Sequence, residues 1–356
     1  MLTHTVMVGL VLVGSALLLL SFRPFGSSRG AGVIAPSQAQ GAHFDLTGHR
    51  GARGLCPENT LPAFARALSI GVATLETDAV VTADGVIVLH HDLTLDPNTT
   101  RGPDGNWISA PGAPLKSLTL AELQTYDVGK IRPGSKYADA FPNQKAVDGT
   151  RIPTLSAVID LVRQSGQSEV VLSVEAKIEP DHPELSLDPE RLAQALVQAL
   201  RAEKFADRAY IQSFDWRVLR IVQRIAPEIP TVYLTAADPS YYDTLEIGKP
   251  GGSKWMGGLD IDDYGGSAPR AIKAAGGKIW SPYAKDVDAD QLKTAHELGI
   301  SVIVWTLNEP AEMARYIDLG VDGIITDCPD RLRQVLMAKG KPLPKPARGI
   351  ADRAPC

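Results

Sequence analysis

Glu76 and Asp78 stand two residues apart in Thr74–Val81, a stretch rich in Val and Thr. On an extended chain that spacing aims both carboxylates at one face. Two like charges on an inward face repel unless a cation lies between them. Mg²⁺ or Ca²⁺ is the natural occupant, because hard cations prefer carboxylate oxygens. Glu175 follows the apolar strand Val170–Val174 and can supply a third ligand, and Lys177, two residues on, shares its face. His49-Arg50 closes the short run from Phe44, and His90-His91 closes the arm Val86–Leu89. A lone histidine is usually structural, but two at strand ends beside a carboxylate pair suit proton transfer. The planar fork of Arg50 matches a phosphate. Spacing alone does not say which of His90 and His91 faces the others. Two histidines, an arginine, a lysine and three carboxylates suit metal-assisted attack on a phosphodiester. The chain carries no Walker loop, no G-x-S-x-G elbow and no H-E-x-x-H, which removes the common rival chemistries.

Groups so scattered must be gathered by the fold. Leu61, Phe64, Ala65 and Leu68 recur at helical spacing, with Thr60 as N-cap, Pro62 in the first turn and Gly71 past the end. Ala83-Asp84-Gly85 predicts a type I′ hairpin turn. Strands are then expected at Val170–Val174, Ala209–Gln212, Thr231–Leu234, Ile279–Tyr283, Ser301–Trp305 and Gly323–Asp327. Helices are expected at Leu155–Val162, Asp188–Glu203, Trp216–Ile225, Ala289–Leu298 and Ala311–Leu319. Counting Val86–His91 as a hairpin arm and leaving out the ambiguous Trp255–Asp263 makes eight strands, most followed by helices. That repetition is the (β/α)₈ TIM barrel, an α/β fold whose reactive groups gather at the strands' carboxyl ends. Leu93–Pro153, dense in Gly, Pro, Asp and Asn, reads as an inserted subdomain shaping the site entrance.

The chain of 356 residues is 44% hydrophobic, with a formal net charge of −5 and no basic stripe, which argues against a nucleic-acid partner. Residues 6–22 form an apolar run, and Ser37-Gln38-Ala39 offers a small-x-small cleavage site. Residues 1–39 are therefore expected to be a signal peptide or an uncleaved N-terminal membrane anchor, followed by a linker at 40–43 and the barrel at 44–338. Export to a periplasmic or extracellular location is expected either way. The tail Lys339–Cys356, rich in Pro and Lys/Arg, is expected to be disordered. Three cysteines, Cys56, Cys328 and Cys356, suggest one pair and one leftover thiol in an exported chain.

HRGARGLCPENTLPAF, LETDAVVTADGVIVLHHD, SVEAK, QSFD, WTLN and DGIITDCPD, in that order, resemble the glycerophosphodiester phosphodiesterase family from about Phe44 to Met337. The resemblance implies a TIM barrel with an insertion. It also implies hydrolysis of a glycerophosphodiester, a small-molecule substrate, to an alcohol and sn-glycerol 3-phosphate in glycerophospholipid degradation. The family's HR pair falls on His49 and Arg50, and its HD on His91 and Asp92, which selects His91 over His90. Its metal ligands fall on Glu76, Asp78 and Glu175, implying one Ca²⁺ or Mg²⁺. Lys177 falls on a phosphate-contacting lysine, Trp305 on a pocket aromatic, and Pro57–Thr60 on the PENT turn, whose Glu58 and Asn59 shape the loop. Cys56 and Cys328 depart from the family pattern. They follow the first and eighth strands, neighbours in a closed barrel, so a Cys56–Cys328 disulfide is expected. A cyclising phospholipase or sphingomyelinase D-like enzyme shares the two-histidine, acidic-metal barrel and is the alternative. A non-catalytic binding barrel would require a missing site residue, and none is missing.

Overall fold

The computed structural model describes residues 44–350 together with residues 1, 355 and 356. The apolar run at 6–22 and the linker at 40–43 lie outside the described residues. No helix among the described residues is long and apolar enough to cross a membrane.

The chain opens with β1 (Asp45–Gly48) and α1 (Leu61–Ile70), which Thr60 caps by accepting from the Ala63 N–H at 3.3 Å. β2 (Thr74–Val81) and its return arm β3 (Ile87–Leu89) follow. The inserted segment contains two short helices, α2 (Leu120–Leu123) and α3 (Lys136–Ala140). Then come α4 (Leu155–Gln164), β4 (Val171–Ala176), α5 (Pro189–Ala202), β5 (Ala209–Ser213), α6 (Trp216–Ile225) and β6 (Thr231–Thr235). A two-stranded hairpin, β7 (Ala237–Asp238) with β8 (Tyr242–Asp243), precedes α7 (Ala268–Ala274) and β9 (Ile279–Pro282). α8 (Ala289–Glu297), β10 (Ser301–Val304), α9 (Pro310–Leu319), β11 (Gly323–Thr326) and α10 (Pro329–Ala338) complete the run. α5 shows why these helices form. Asp188 accepts from the Arg191 N–H, Pro189 takes the first turn, and Leu192, Ala193, Leu196, Val197 and Leu200 make one buried stripe.

Eight parallel strands close on themselves in the order β1, β2, β4, β5, β6, β9, β10, β11, with β11 pairing back to β1. β3 is the antiparallel arm on β2, pairing Leu89 with Ala79. Trp255–Asp263, left out of the strand count, holds parts of two 3₁₀ turns, Lys254–Met256 and Ile261–Tyr264. Register places Asp78 beside Glu175, and Glu175 beside Gln212. Val232, Ile279, Ile303 and Ile325, from β6, β9, β10 and β11, form a separate buried apolar cluster. The turn joining β2 to β3 is not type I′. Only Gly85, at φ 81°, adopts positive φ, and the Gly85 N–H reaches Thr82 O at 3.1 Å. A type I turn followed by a left-handed glycine needs one positive φ instead of two, so Asp84 stays unstrained.

The insertion packs Leu95, Leu115, Leu123, Val128 and Ile152 with Val80 of β2 and Val88 of β3 in a small core. It also buttresses the loop after β1. Gln144 Nε2 donates to Arg53 O at 2.7 Å, the Lys145 N–H to Leu55 O at 2.9 Å, and the Arg53 guanidinium lies 4.6 Å from the Phe141 ring centre.

Two expectations about the C-terminus are corrected. The segment after α10 is not a free tail: Arg333 Nη1 donates to Pro344 O at 2.7 Å, the Ala347 N–H to Leu68 O at 2.9 Å, and Ala347 and Ile350 are buried. The disulfide is not Cys56–Cys328 but Cys56–Cys356, with Cα atoms 5.6 Å apart. The bond from the Ala347 N–H to Leu68 O holds the segment beside α1, the helix that follows the Cys56 loop. Cys328 stays a buried free thiol, packed against Gly54, where a Cβ would come within 2.7 Å of its sulfur. Titration of denatured, unreduced protein is therefore expected to find a single free thiol, and three would contradict the pairing. Cys356→Ser should lower the unfolding free energy by roughly 2–5 kcal/mol in a denaturant titration.

Candidate active site

The loop after β1 is bent to reach β2. Arg50 and Asn59 both sit in the left-handed region, at φ 48° and 52°, unusual for residues with a side chain. The bend aims the Arg50 N–H at Glu76 Oε2 (2.8 Å) and the Asn59 amide at Asp78 Oδ2 (2.8 Å). Asn59 Oδ1 accepts from Thr77 at 2.8 Å, which fixes the amide's orientation. Glu76 Oε1 accepts from Gln212 Nε2 at 2.8 Å. Lys177 Nζ donates to Glu175 Oε1 at 2.9 Å and lies 3.7 Å from Asp78 Oδ1. Arg50 is clamped by Glu58 (2.8 Å), with its Nε 3.4 Å from Asp78. Tyr137 of the insertion donates to the other Glu58 oxygen.

Oxygens of Glu76, Asp78 and Glu175 lie within 4.8 Å of one another, and all three residues are buried. Burial, then the charges of Asp78 and Glu175, raises Glu76 well above the ordinary carboxylate range. Burial pushes Glu175 up to about 7, the charge of Asp78 adding to it and Lys177 opposing. Asp78 is held low although burial opposes it, by the charges of Arg50 and Lys177 and the bond from Asn59. Three buried oxygen donors that resist sharing their negative charge fit a hard divalent cation.

His49 Nδ1 lies 2.7 Å from Asp327 Oδ1. The charge of Arg53 and the hydrogen bonds from Arg53 and His49 keep Asp327 ionised against its burial. An ionised carboxylate only accepts, so Nδ1 carries the proton and Nε2 is left with a lone pair, 3.8 Å from Glu76. Burial and Arg53 lower the His49 pKa against Asp327, favouring the neutral ring. Asp327 is itself fixed by Arg53 Nε (2.8 Å) and Asn308 Nδ2 (2.7 Å). His91 repeats the device, with Nδ1 2.6 Å from Asp92 Oδ1. Desolvation in the cleft, then Arg50 and Lys177, lowers it to about 4.

A cleft of about 490 Å³ opens over these groups, lined by His49, Arg50, Glu76, His91, Glu175 and Lys177 on one side. Phe214, Tyr241, Tyr242 and Trp305 also line it, Trp305 held by a 2.9 Å bond from its Nε1 to Ser281 O. His91 lines this cleft and His90 does not; the His90 ring turns to the Asp92 carbonyl at 2.9 Å. Every site residue expected from the sequence is brought to this place, with Asp78 directly behind the lining. Sequence reasoning assigned no role to Asp327, Arg53, Asn308 or Gln212. The available signal was position, since Asp327 and Gln212 lie at strand ends.

Residues 49–331 match the model of the glycerophosphoryl diester phosphodiesterase family. The glycerophosphodiester phosphodiesterase of Caldanaerobacter subterraneus subsp. tengcongensis is 28% identical over 292 residues, covering 82% of this chain and 97% of the relative. A Silicibacter pomeroyi protein classed with the glycerophosphoryl diester phosphodiesterases has a crystal structure 35% identical to this chain, with TM-score 0.73, covering 83% of this chain and 93% of its own. An Oleispira antarctica phosphodiesterase, solved in complex with its product sn-glycerol-3-phosphate, shares the fold at 22% identity and TM-score 0.59, covering 82% and 96%.

Proposed function

Because this chain belongs to the glycerophosphoryl diester phosphodiesterase family, we propose that it hydrolyses glycerophosphodiesters to an alcohol and sn-glycerol 3-phosphate, with one divalent cation and two histidines. The observation that carries the reading is the buried carboxylate triad flanked by two imidazoles, each held at Nδ1 by a carboxylate. Glu76, Asp78 and Glu175 would hold Ca²⁺ or Mg²⁺, which when bound polarises a phosphoryl oxygen and neutralises developing charge. Arg50 and Lys177 face the phosphate, Arg50 through a fork already oriented by Glu58. His49 and His91 each offer Nε2 to the cleft. One takes the proton of the attacking hydroxyl, and the other protonates the leaving alkoxide. Asp327 and Asp92 stabilise the imidazolium that each step requires. Trp305 lines the organic part of the pocket. A location outside the cytoplasm belongs to the same proposal, supported by the apolar run at 6–22, read as signal or anchor, and by a disulfide joining residues 300 apart.

A panel of glycerophosphodiesters assayed with and without chelator tests the reading. Glycerol 3-phosphate release should cease on chelation and return with Ca²⁺ or Mg²⁺. Turnover indifferent to chelator would remove the cation from the account, and no release from any diester would remove the hydrolysis.

A further inference from the structure

Lys177, Arg50 and Arg53 line the cleft beside the carboxylates Glu76, Glu175 and Asp92, and Phe214, Tyr242, Trp305 and Glu179 line it as well. Past the end of β4 at Ala176, the chain continues along the cleft wall, where Lys177, Ile178 and Glu179 all line it. Glu179 is half-buried, and its Oε1 accepts a 3.1 Å bond from the Asp181 N–H. No ion pair to Glu179 occurs among the described residues, whereas neighbouring Asp181 is paired with Lys254. The Phe214 ring stands 5.0 Å from Tyr242 at 88° and 5.6 Å from Trp305 at 87°. Buried Trp255 backs Tyr242 at 5.7 Å, and Tyr241 is 63% exposed. Burial, then the charges of Glu175, Glu179 and Asp181, holds the Tyr242 phenol above its ordinary range, consistent with negative potential around it. Of the cations nearby, Lys177 is paired with Glu175 and Lys254 with Asp181, while Lys285 lies 5.8 Å from the Tyr283 ring, outside the lining.

We infer that Phe214, Tyr242, Trp305 and Glu179 form a subsite for a cationic amino-alcohol headgroup, best filled by a quaternary ammonium. Phe214, Tyr242 and Trp305 all line the cleft, and a weakly hydrated ammonium gains most from contact with aromatic faces. Glu179 supplies the counter-charge, and a zwitterionic substrate then lies with its phosphate at Arg50 and Lys177 and its ammonium against the rings. This rests on the hydrolysis proposed above and names the headgroup class for it.

The test compares kcat/KM for glycerophosphocholine and for glycerophosphoglycerol, whose headgroup is neutral, in the full-length enzyme and in Glu179→Gln. The wild type should favour the choline diester by roughly tenfold. Glu179→Gln, which keeps the side chain's size and its bond to the Asp181 N–H, should bring the two values within about threefold of each other. Choline should also inhibit the wild type competitively and inhibit the variant more weakly. Equal kcat/KM for the two diesters in the wild type, or a ratio unchanged in Glu179→Gln, overturns the subsite while leaving hydrolysis standing. Failure to cleave either diester overturns both.

Discussion

His49→Ala is expected to lower kcat by roughly 10²–10⁴-fold without unfolding the protein. His49 sits at the exit of β1 with its side chain only 14% exposed, and its ring is aimed by a carboxylate that Arg53 and Asn308 hold in turn. A ring so constrained contributes its Nε2 lone pair in one direction, and alanine removes that group while leaving the cleft's other charges in place. His91→Ala should cost a similar factor, since His91 faces the same cleft and is fixed by Asp92. His90→Ala is the control. Its ring points to a backbone carbonyl and outside the main cleft, so its kcat should stay within about threefold of the wild type. Steady-state kinetics on the three variants, with circular dichroism to confirm folding, decides the matter. Equal losses at His90 and His91 would break the assignment.

The second large effect is expected at the triad. Glu175→Gln is close to isosteric but removes one negative oxygen donor from a set packed within 4.8 Å. Divalent binding should weaken sharply, and kcat/KM at limiting cation should fall by about 10³-fold, several kcal/mol of lost charge stabilisation. Stability supplies a readout independent of turnover. A cation that binds only the folded wild type at 100 times its Kd adds about 2.7 kcal/mol. Added Ca²⁺ or Mg²⁺ should therefore raise the wild-type melting temperature and barely move that of Glu175→Gln. Identical cation responses in both proteins would argue that the triad is not the binding site.

Particular residues show how far the sequence could be read. The Glu-x-Asp pair was legible because β2 is a regular strand, where period two guarantees a shared face, and β4 adds Glu175 in register beside Asp78. The eight-stranded count was legible because most strands are short apolar runs with a helix after them. The choice between His90 and His91 was not, except through family resemblance. β3 ends at Leu89 and the chain bends from His91 onward, so strand alternation no longer governs. The partner of His49 was hidden for another reason: Asp327 lies 278 positions away, and only barrel closure brings β11 beside β1. The disulfide failed similarly. Pairing among three cysteines depends on where the tail goes, and a segment rich in Pro and Lys gave no periodic signal of its docking on α1.

The central claim is that two histidines and a cation site deliver water-dependent cleavage to a free phosphomonoester. Phosphorus NMR of a glycerophosphocholine digest tests it most directly. The account predicts that the diester resonance is replaced by that of sn-glycerol 3-phosphate, with no cyclic phosphate remaining at completion and no conversion in chelator. A cyclic phosphate that persists as the end product, or conversion that proceeds in chelator, would contradict it.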